Sequence, residues 1–87
     1  MSSRRLRPVA RAEVHAVILD ILPGLSAADI DDSAHLKDLG ADSVDRVEII
    51  MGVLDRLHLQ EPLSTFSEVP NIGALIQLLS ELKARRA

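Results

Sequence analysis

Apolar residues near the start of the chain recur at the spacing that places side chains on one face of a helix. The repeating positions are Val14, Val17, Ile18, Ile21 and Leu22. This pattern predicts a first helix over residues 9–22. Pro23 and Gly24 then predict its end, since proline cannot continue the helix and glycine readily forms a left-handed cap.

A long connection over residues 25–41 follows, rich in Ser, Asp and Gly. Its apolar residues are spaced as anchors that would hold the segment to the core: Ile30, Leu36 and Leu39. We expect its acidic residues to face water: Asp29, Asp31 and Asp32. A connection this long in a compact domain is usually functional or well packed.

A second helix is predicted over residues 42–58, entered by a turn at Gly40 and capped by Asp42 or Ser43. One apolar set marks its core face: Ile49, Ile50, Val53 and Leu57. A second set is rotated from the first: Val44, Val47, Met51 and Leu54. A helix that is apolar on more than one side is either deeply buried or keeps one face for a partner.

Pro62 interrupts the chain, so residues 63–68 can form only a short helical piece around Phe66. A final helix begins after Asn71, its expected N-cap, and is predicted to fray over residues 83–87. Its apolar face consists of Ile72, Leu75, Ile76, Leu79 and Leu82. No segment alternates like a strand, so we predict an all-α bundle of three main helices plus one short helix. The expected domain is 9–82, between basic tails at 1–8 and 83–87.

The composition narrows the class of protein. A chain of 87 residues forms one domain, and with one Phe, no Trp and no Tyr its core must be aliphatic. The absence of cysteine excludes disulfides and thiolate metal sites. No apolar run approaches the about 18 residues of a membrane span, and no leader peptide is visible. We therefore expect a cytoplasmic protein, and the starting Met1 and the length favour a free-standing one.

The net charge of −3 conceals a strong asymmetry along the chain. All 13 acidic residues lie between Glu13 and Glu81, where only Lys37, Arg46 and Arg56 are basic. The other cations lie near the two ends of the chain. An acidic body repels nucleic acid and attracts basic protein surfaces, although acidic residues also serve solubility alone. We expect a monomer that contacts neither nucleic acid nor membrane.

Ser43 is the strongest candidate for chemistry, because it places a hydroxyl at a helix N-terminus beyond a long loop. A phosphodiester on that oxygen would lie where free backbone N–H groups and the helix dipole favour anions. The alternative is that Ser43 is an ordinary helix N-cap, which is what most serines at such positions are.

Residues 39–44 read Leu-Gly-Ala-Asp-Ser-Val and lead into an acidic, apolar helix. This segment resembles the modification site of acyl carrier proteins, Leu-Gly-x-Asp-Ser-Leu, with Val44 in place of the last leucine. The resemblance covers residues 13–82 and implies an acyl-carrier-protein-like bundle without catalytic or metal-binding residues. It further implies that a phosphopantetheinyl transferase, using magnesium, moves 4′-phosphopantetheine from coenzyme A to Ser43, beside the motif residue Asp42. The arm would supply the thiol that the chain lacks.

Within that family, the chain is most similar to the donor carriers of polyketide β-branching systems. Arg46 and the Asn71-Ile72-Gly73 start of the last helix carry this finer resemblance. It implies delivery of an acetyl thioester to a hydroxymethylglutaryl-synthase-like enzyme, with a decarboxylating ketosynthase and an acyltransferase as further partners. Partner-binding residues are then Val44, Asp45, Arg46, Val47, Glu48 and Met51. A general polyketide or fatty-acid carrier and an unmodified interaction module remain as alternatives.

Other functions have weaker support. His15, His35 and His58 lack metal-ligand spacing and indicate surface or half-buried histidines. A serine hydrolase would need a Gly-x-Ser-x-Gly elbow on a sheet, and the chain has neither. A DNA-recognition helix is disfavoured by the acidic residues of the second helix, which would repel phosphates.

Overall fold

The computed structural model describes residues 3–86 and has an all-α fold without strands in that part of the chain. Its helices are α1 (Ser3–Ile21), α2 (Ser43–Arg56) and α3 (Ile72–Arg86). Three short 3₁₀ turns occupy Ala27–Asp29, Leu36–Leu39 and Leu63–Phe66. The predicted architecture is confirmed, including the short helical piece that ends at Phe66.

The first helix begins six residues earlier than the sequence pattern indicates. Ser3–Ile21 is continuous and includes Pro8, so the residues expected to form a basic tail are helical as far as they are described. Tertiary contacts explain the extra turns, because Leu6 is half-buried and Arg7 donates a hydrogen bond to Gln77 of α3. Met1 and Ser2 of the expected tail lie outside the described residues.

The end of α1 also differs in detail from the prediction. In residues 3–86 Gly40 is the glycine with a left-handed backbone, so the left-handed cap expected at Gly24 is wrong. The last turn instead closes with the N–H of Leu22 donating to the carbonyl oxygen of Ile18 at 2.8 Å. Pro23 follows at once and prevents any further helical hydrogen bond.

The core is aliphatic around one buried aromatic ring, that of Phe66. Every position of the predicted α3 stripe is buried, as are the loop anchors Ile30 and Leu36, while Leu39 packs partly buried against them. The core face of α2 is confirmed at Ile49, Val53 and Leu57, with Ile50 partly buried. Leu54 was expected on the second, rotated face of α2, but it is 7% exposed and belongs to the core.

An ion pair ties α1 to the long loop and to α3. Arg11 donates two hydrogen bonds, of 2.5 and 2.7 Å, to the carboxylate of Asp32, and the Asp32 carbonyl accepts the N–H of Gly73 at 2.8 Å. Asp32 therefore does not simply face water, as expected, whereas Asp29 and Asp31 are exposed. Arg7 lies one turn before Arg11 in α1, and its partner Gln77 lies one turn after Gly73 in α3. Helices α1 and α3 therefore run in opposite directions.

Helices α1 and α2 are also antiparallel and approach closely. Arg56 donates to Glu13 at 2.8 Å, and one turn further along both helices Gly52 faces Val17. A Cβ atom on Gly52 would lie 3.0 Å from a methyl group of Val17. The lack of a side chain at Gly52 is therefore what permits this helix separation.

The C-terminal end of α3 is held against the turn that follows α2. Lys83 Nζ donates to the carbonyl oxygen of Leu57 at 2.8 Å, and Arg86 donates to that of Gln60 at 3.1 Å. The predicted fraying is therefore wrong up to Arg86, and Ala87 lies outside the described residues. The basic ends of α1 and α3 thus meet at one end of the bundle, opposite the acidic start of α2. No helix in residues 3–86 has the length and apolar character to cross a bilayer.

The pairing of Asp32 with Arg11 predicts a pH-dependent contribution to stability. The hydrogen bonds from Arg11 hold the pKa of Asp32 below its usual range. A carboxyl group whose folded-state pKa is lowered stabilises the fold above its unfolded pKa, about 4, and this contribution is lost as the pH falls through the folded value. Asp32→Asn should therefore lower the free energy of unfolding at pH 7 by at most about 1 kcal/mol, since the pair is partly exposed. Urea denaturation should show this difference shrinking below about pH 4.

Glu68→Gln is the matched control, because Glu68 is an exposed carboxylate without an ion pair in the described part of the chain. It should change the stability little at either pH. An Asp32→Asn deficit of the same size at pH 7 and in acid would show that the ion pair is not its source.

Candidate functional site

The start of α2 is fixed by a reciprocal pair of hydrogen bonds. The Asp42 carboxylate accepts the N–H of Asp45 at 2.8 Å, and the Asp45 carboxylate accepts the N–H of Asp42 at 3.3 Å. Just before this capping box, Gly40 has φ of 93°, which glycine adopts at low cost, and Ala41 is buried. The sequence left the cap open between Asp42 and Ser43, and the structure assigns it to Asp42.

Ser43 is the first helical residue, and its side chain is exposed. Because Asp42 fills the capping position, the Ser43 hydroxyl is not needed there. It makes no hydrogen bond to any residue in 3–86. The interpretation of Ser43 as an ordinary N-cap is therefore wrong.

A cavity of about 280 Å³ lies beside Ser43, between α2, the turn Leu63–Phe66 and the start of α3. Its walls are mainly apolar and include Leu36, Val47, Ile50, Phe66, Ile72 and Leu75. A few polar side chains join them: His35, Ser43, Arg46, Ser67 and Asn71. An apolar cavity with a few polar groups is the usual form of a small-molecule site. The sequence did not indicate His35 or Ser67, since both come from loops that only the fold brings to α2.

An exposed apolar strip runs along the outside of α2. It consists of Val44, Val47 and Met51, which are 63%, 41% and 55% exposed. Leu63 extends this α2 strip across a groove and is 41% exposed. The sequence prediction missed Leu63, although an apolar residue beside Pro62 in a short turn was a usable signal.

Acidic side chains border the α2 strip. Glu48 is exposed and Asp45 is half-buried, as expected for charges around an apolar centre. Arg46 differs from its expected direction toward a partner. Its side chain is half-buried, Nη1 donates to the carbonyl oxygen of Ala41 at 3.1 Å, and the residue lines the cavity.

Residues 3–86 contain no group of His, Asp or Glu side chains suited to hold a metal ion. His35 Nδ1 accepts the N–H of Lys37 at 3.0 Å, and His58 is exposed with a left-handed backbone. His15 Nε2 is buried without a hydrogen bond to the described residues, and this desolvation, together with the charge of Arg11, lowers the pKa of His15. The sequence prediction of surface or half-buried histidines matches these positions.

The surroundings of Ser43 fit a covalently attached arm. Its hydroxyl is exposed and has no hydrogen bond within the described part of the chain, so a transferase can reach it without breaking one there. The cavity at its side offers apolar walls to whatever the arm carries, and Arg46 offers a cation.

Comparison with known proteins identifies the family of the chain. A family model described as a phosphopantetheine attachment site matches residues 12–79. A polyketide biosynthesis acyl carrier protein, AcpK, of Bacillus subtilis is 45% identical over 62 residues, which cover 71% of this chain and 76% of the relative. The acyl carrier protein of Helicobacter pylori strain J99 is 30% identical over 71 residues, 82% of this chain and 91% of the relative.

Carrier-like segments of much larger proteins also match. The non-reducing polyketide synthase adrD of Penicillium rubens is 32% identical over 66 residues, which are 76% of this chain but only 3% of the synthase. No solved structure matches the chain. The family match spans most of the chain, and the small relatives align over most of their own length. The chain therefore belongs to the acyl carrier proteins, non-catalytic domains that bear a covalent phosphopantetheine.

Proposed function

We propose that Ser43 is the attachment site for 4′-phosphopantetheine and that the protein carries acyl groups in polyketide biosynthesis. We base this proposal on the Ser43 hydroxyl, which is exposed and makes no hydrogen bond to residues 3–86, because Asp42 caps the helix in its place. The name of the Bacillus subtilis relative supports the polyketide context.

The loading step requires a reachable oxygen nucleophile on this chain. Ser43 Oγ attacks the phosphorus next to the pantetheine of coenzyme A, forming one O–P bond as the bond to adenosine 3′,5′-bisphosphate breaks. The hydroxyl proton leaves to a base of the transferase. Helix α2 contributes the dipole of its first turn, which favours the new negative charge on Ser43. When bound, the arm supplies the thiol that holds the acyl group as a thioester.

Loading should depend on this one hydroxyl. With coenzyme A and a promiscuous phosphopantetheinyl transferase, the wild type should gain the mass of one arm, and Ser43→Ala should gain none, as read by intact-protein mass spectrometry. Because Ser43 is not the cap, Ser43→Ala should change the free energy of unfolding by no more than about 0.5 kcal/mol.

Ser33→Ala is the matched control, since Ser33 is another exposed serine in the preceding loop, and it should load like the wild type. Arm addition to Ser43→Ala would overturn the assignment. A wild type that gains no mass would instead favour an unmodified interaction module.

We further propose that partner enzymes dock on the α2 strip. An exposed apolar centre bordered by Asp45 and Glu48 has the composition of a protein interface. The strip lies on the same helix as Ser43 and begins at the next residue. A partner that covers Val44 and Val47 is therefore brought directly to the attachment site.

Removing the strip's longest side chain should slow loading without unfolding the domain. Met51→Ala should reduce the kcat/KM of the transferase about fivefold, equivalent to about 1 kcal/mol of lost interface contact. Because the Met51 side chain is 55% exposed, the melting temperature of Met51→Ala should stay close to that of the wild type. Glu48→Lys should also slow loading, by an amount that shrinks as salt rises, since rim charges act mainly on the association rate.

Two control variants make the same kinds of substitution outside the α2 strip, so that an effect of its location can be told from an effect of losing an apolar side chain or reversing a charge anywhere. Val9→Ala truncates an apolar side chain of similar exposure, 49%, on α1. Glu68→Lys makes the same charge reversal as Glu48→Lys outside α2. Both should load at the wild-type rate, and equal losses in these controls would remove the α2 strip as the docking surface.

The finer role that we propose is delivery of acetyl to a hydroxymethylglutaryl-synthase-like enzyme, with a decarboxylating ketosynthase and an acyltransferase as suppliers. Its support is the resemblance of residues 42–51 and 70–75 to donor carriers, together with the polyketide relative. The cavity favours a second candidate, a general polyketide carrier. Its volume, about 280 Å³, exceeds the roughly 150 Å³ that suffices for benzene, so it has room for more than two carbons.

The rates of acetyl transfer from this carrier and from a fatty-acid carrier distinguish the two roles. Acetyl-loaded protein is mixed with such a synthase and a β-ketoacyl acceptor carrier, and loss of acetyl is followed by mass spectrometry. The donor role predicts transfer from this carrier at a rate at least tenfold above that from a fatty-acid carrier, a difference of about 1.4 kcal/mol. Equal rates, or no transfer while ketosynthases accept longer acyl groups from it, would favour the general carrier.

A further inference from the structure

Arg46 brings to the cavity beside Ser43 a positive charge that forms no ion pair with any carboxylate in residues 3–86. Among the described residues that line this cavity, Arg46 is the only arginine or lysine, and none is acidic. Its hydrogen bond goes to the neutral carbonyl oxygen of Ala41. The described ion pairs of the chain involve other arginines: Arg11, Arg56 and Arg86.

Arg56, the second arginine of α2, has a carboxylate partner that Arg46 lacks among the described residues. Arg56 donates to the carboxylate of Glu13, and that hydrogen bond raises the pKa of Arg56. Arg46 is half-buried and yet has no carboxylate within pairing distance in residues 3–86. A guanidinium has five N–H groups in a planar fork that suits phosphate, and the one described contact uses a single nitrogen.

Ser43 and Arg46 are three residues apart on one helix, so their side chains are neighbours on the same face. An anion on Ser43 would also lie close to the carboxylates of Asp42 and Asp45, which repel it. Within this turn of α2, Arg46 is the one cation that can offset that repulsion.

We propose that Arg46 is a positioning residue that binds the phosphodiester of the arm attached to Ser43. One edge of its guanidinium keeps the Ala41 carbonyl while the other donates to phosphate oxygens. Since Arg46 lines the cavity, this contact directs the arm toward the cavity mouth rather than outward from the helix end. The inference rests on the proposed modification of Ser43 and gives Arg46 a role within its own chain, while its contact to a partner carboxylate stays a separate prediction.

Phosphorus-31 NMR of the loaded protein tests this contact without any partner enzyme. Wild type, Arg46→Gln, Arg46→Lys and Arg56→Gln are loaded with coenzyme A, and intact mass confirms one arm on each. In Arg46→Gln the phosphodiester resonance should narrow and shift toward its position in the urea-unfolded protein. Arg46→Lys should restore part of the wild-type shift, and Arg56→Gln should match the wild type.

Salt and melting temperature give two further readouts. Raising the salt to 1 M shortens the screening length to about 3 Å, so the wild-type resonance should move toward that of Arg46→Gln. Loading should lower the melting temperature of Arg46→Gln more than that of the wild type, because the added anion then faces Asp42 and Asp45 alone. A purely structural role of the contact with Ala41 would lower the melting temperature equally before and after loading.

The possible failures are distinguishable. Without arm addition to wild type, the proposed function fails before Arg46 is tested. With loading and an unchanged phosphorus resonance in Arg46→Gln, the inference about Arg46 is overturned and the carrier role stands. If Arg46→Gln resists loading, the wild type decides: the Arg46 side-chain Nε–H signal should shift between the unloaded and loaded protein, and no shift overturns the inference.

Discussion

The reciprocal hydrogen bonds between Asp42 and Asp45 determine the state of the whole candidate site. A helix start leaves backbone N–H groups without partners, and a serine at that position ordinarily supplies an oxygen to one of them. Here the carboxylate of Asp42 supplies that oxygen, so the neighbouring Ser43 hydroxyl stays exposed and has no hydrogen bond among the residues that the structure describes. Asp42 caps the helix and the adjacent Ser43 presents the hydroxyl, so a group can be attached at Ser43 without loss of the cap.

The same carboxylates create an electrostatic conflict. They favour approach of basic partner surfaces to the start of α2, but a phosphodiester on Ser43 adds a further negative charge between them. Arg46 lies on that turn with its charge unpaired in the described residues, whereas Arg56 at the other end of α2 pairs with Glu13. A cation at this position reduces the repulsion that such an anion would meet from Asp42 and Asp45.

The sequence predicted the elements whose signal is local. The α3 stripe and the core face of α2 follow from helical periodicity, and the motif around Ser43 indicated the candidate site. The errors concern tertiary contacts. Leu54 is buried although its spacing placed it on the outer face, and the start of α1 depends on the contact of Arg7 with Gln77.

The direction of Arg46 and the membership of the cavity were also beyond sequence reasoning. A long side chain can turn to either side of its helix, and the Ala41 carbonyl that holds Arg46 is available only once the preceding loop has folded. His35 and Leu63 reach the site from segments whose paths no periodic pattern specifies.

The antiparallel packing of α1 against α2 and α3 has a consequence for how the protein moves in solution. It collects the basic residues of both chain ends at one end of the bundle and leaves the acidic start of α2 at the other. Such a separation gives the molecule a permanent dipole moment along its length. In the field of a cationic enzyme surface, this dipole experiences a torque before contact. A cationic surface therefore turns the acidic start of α2, where Ser43 lies, toward itself.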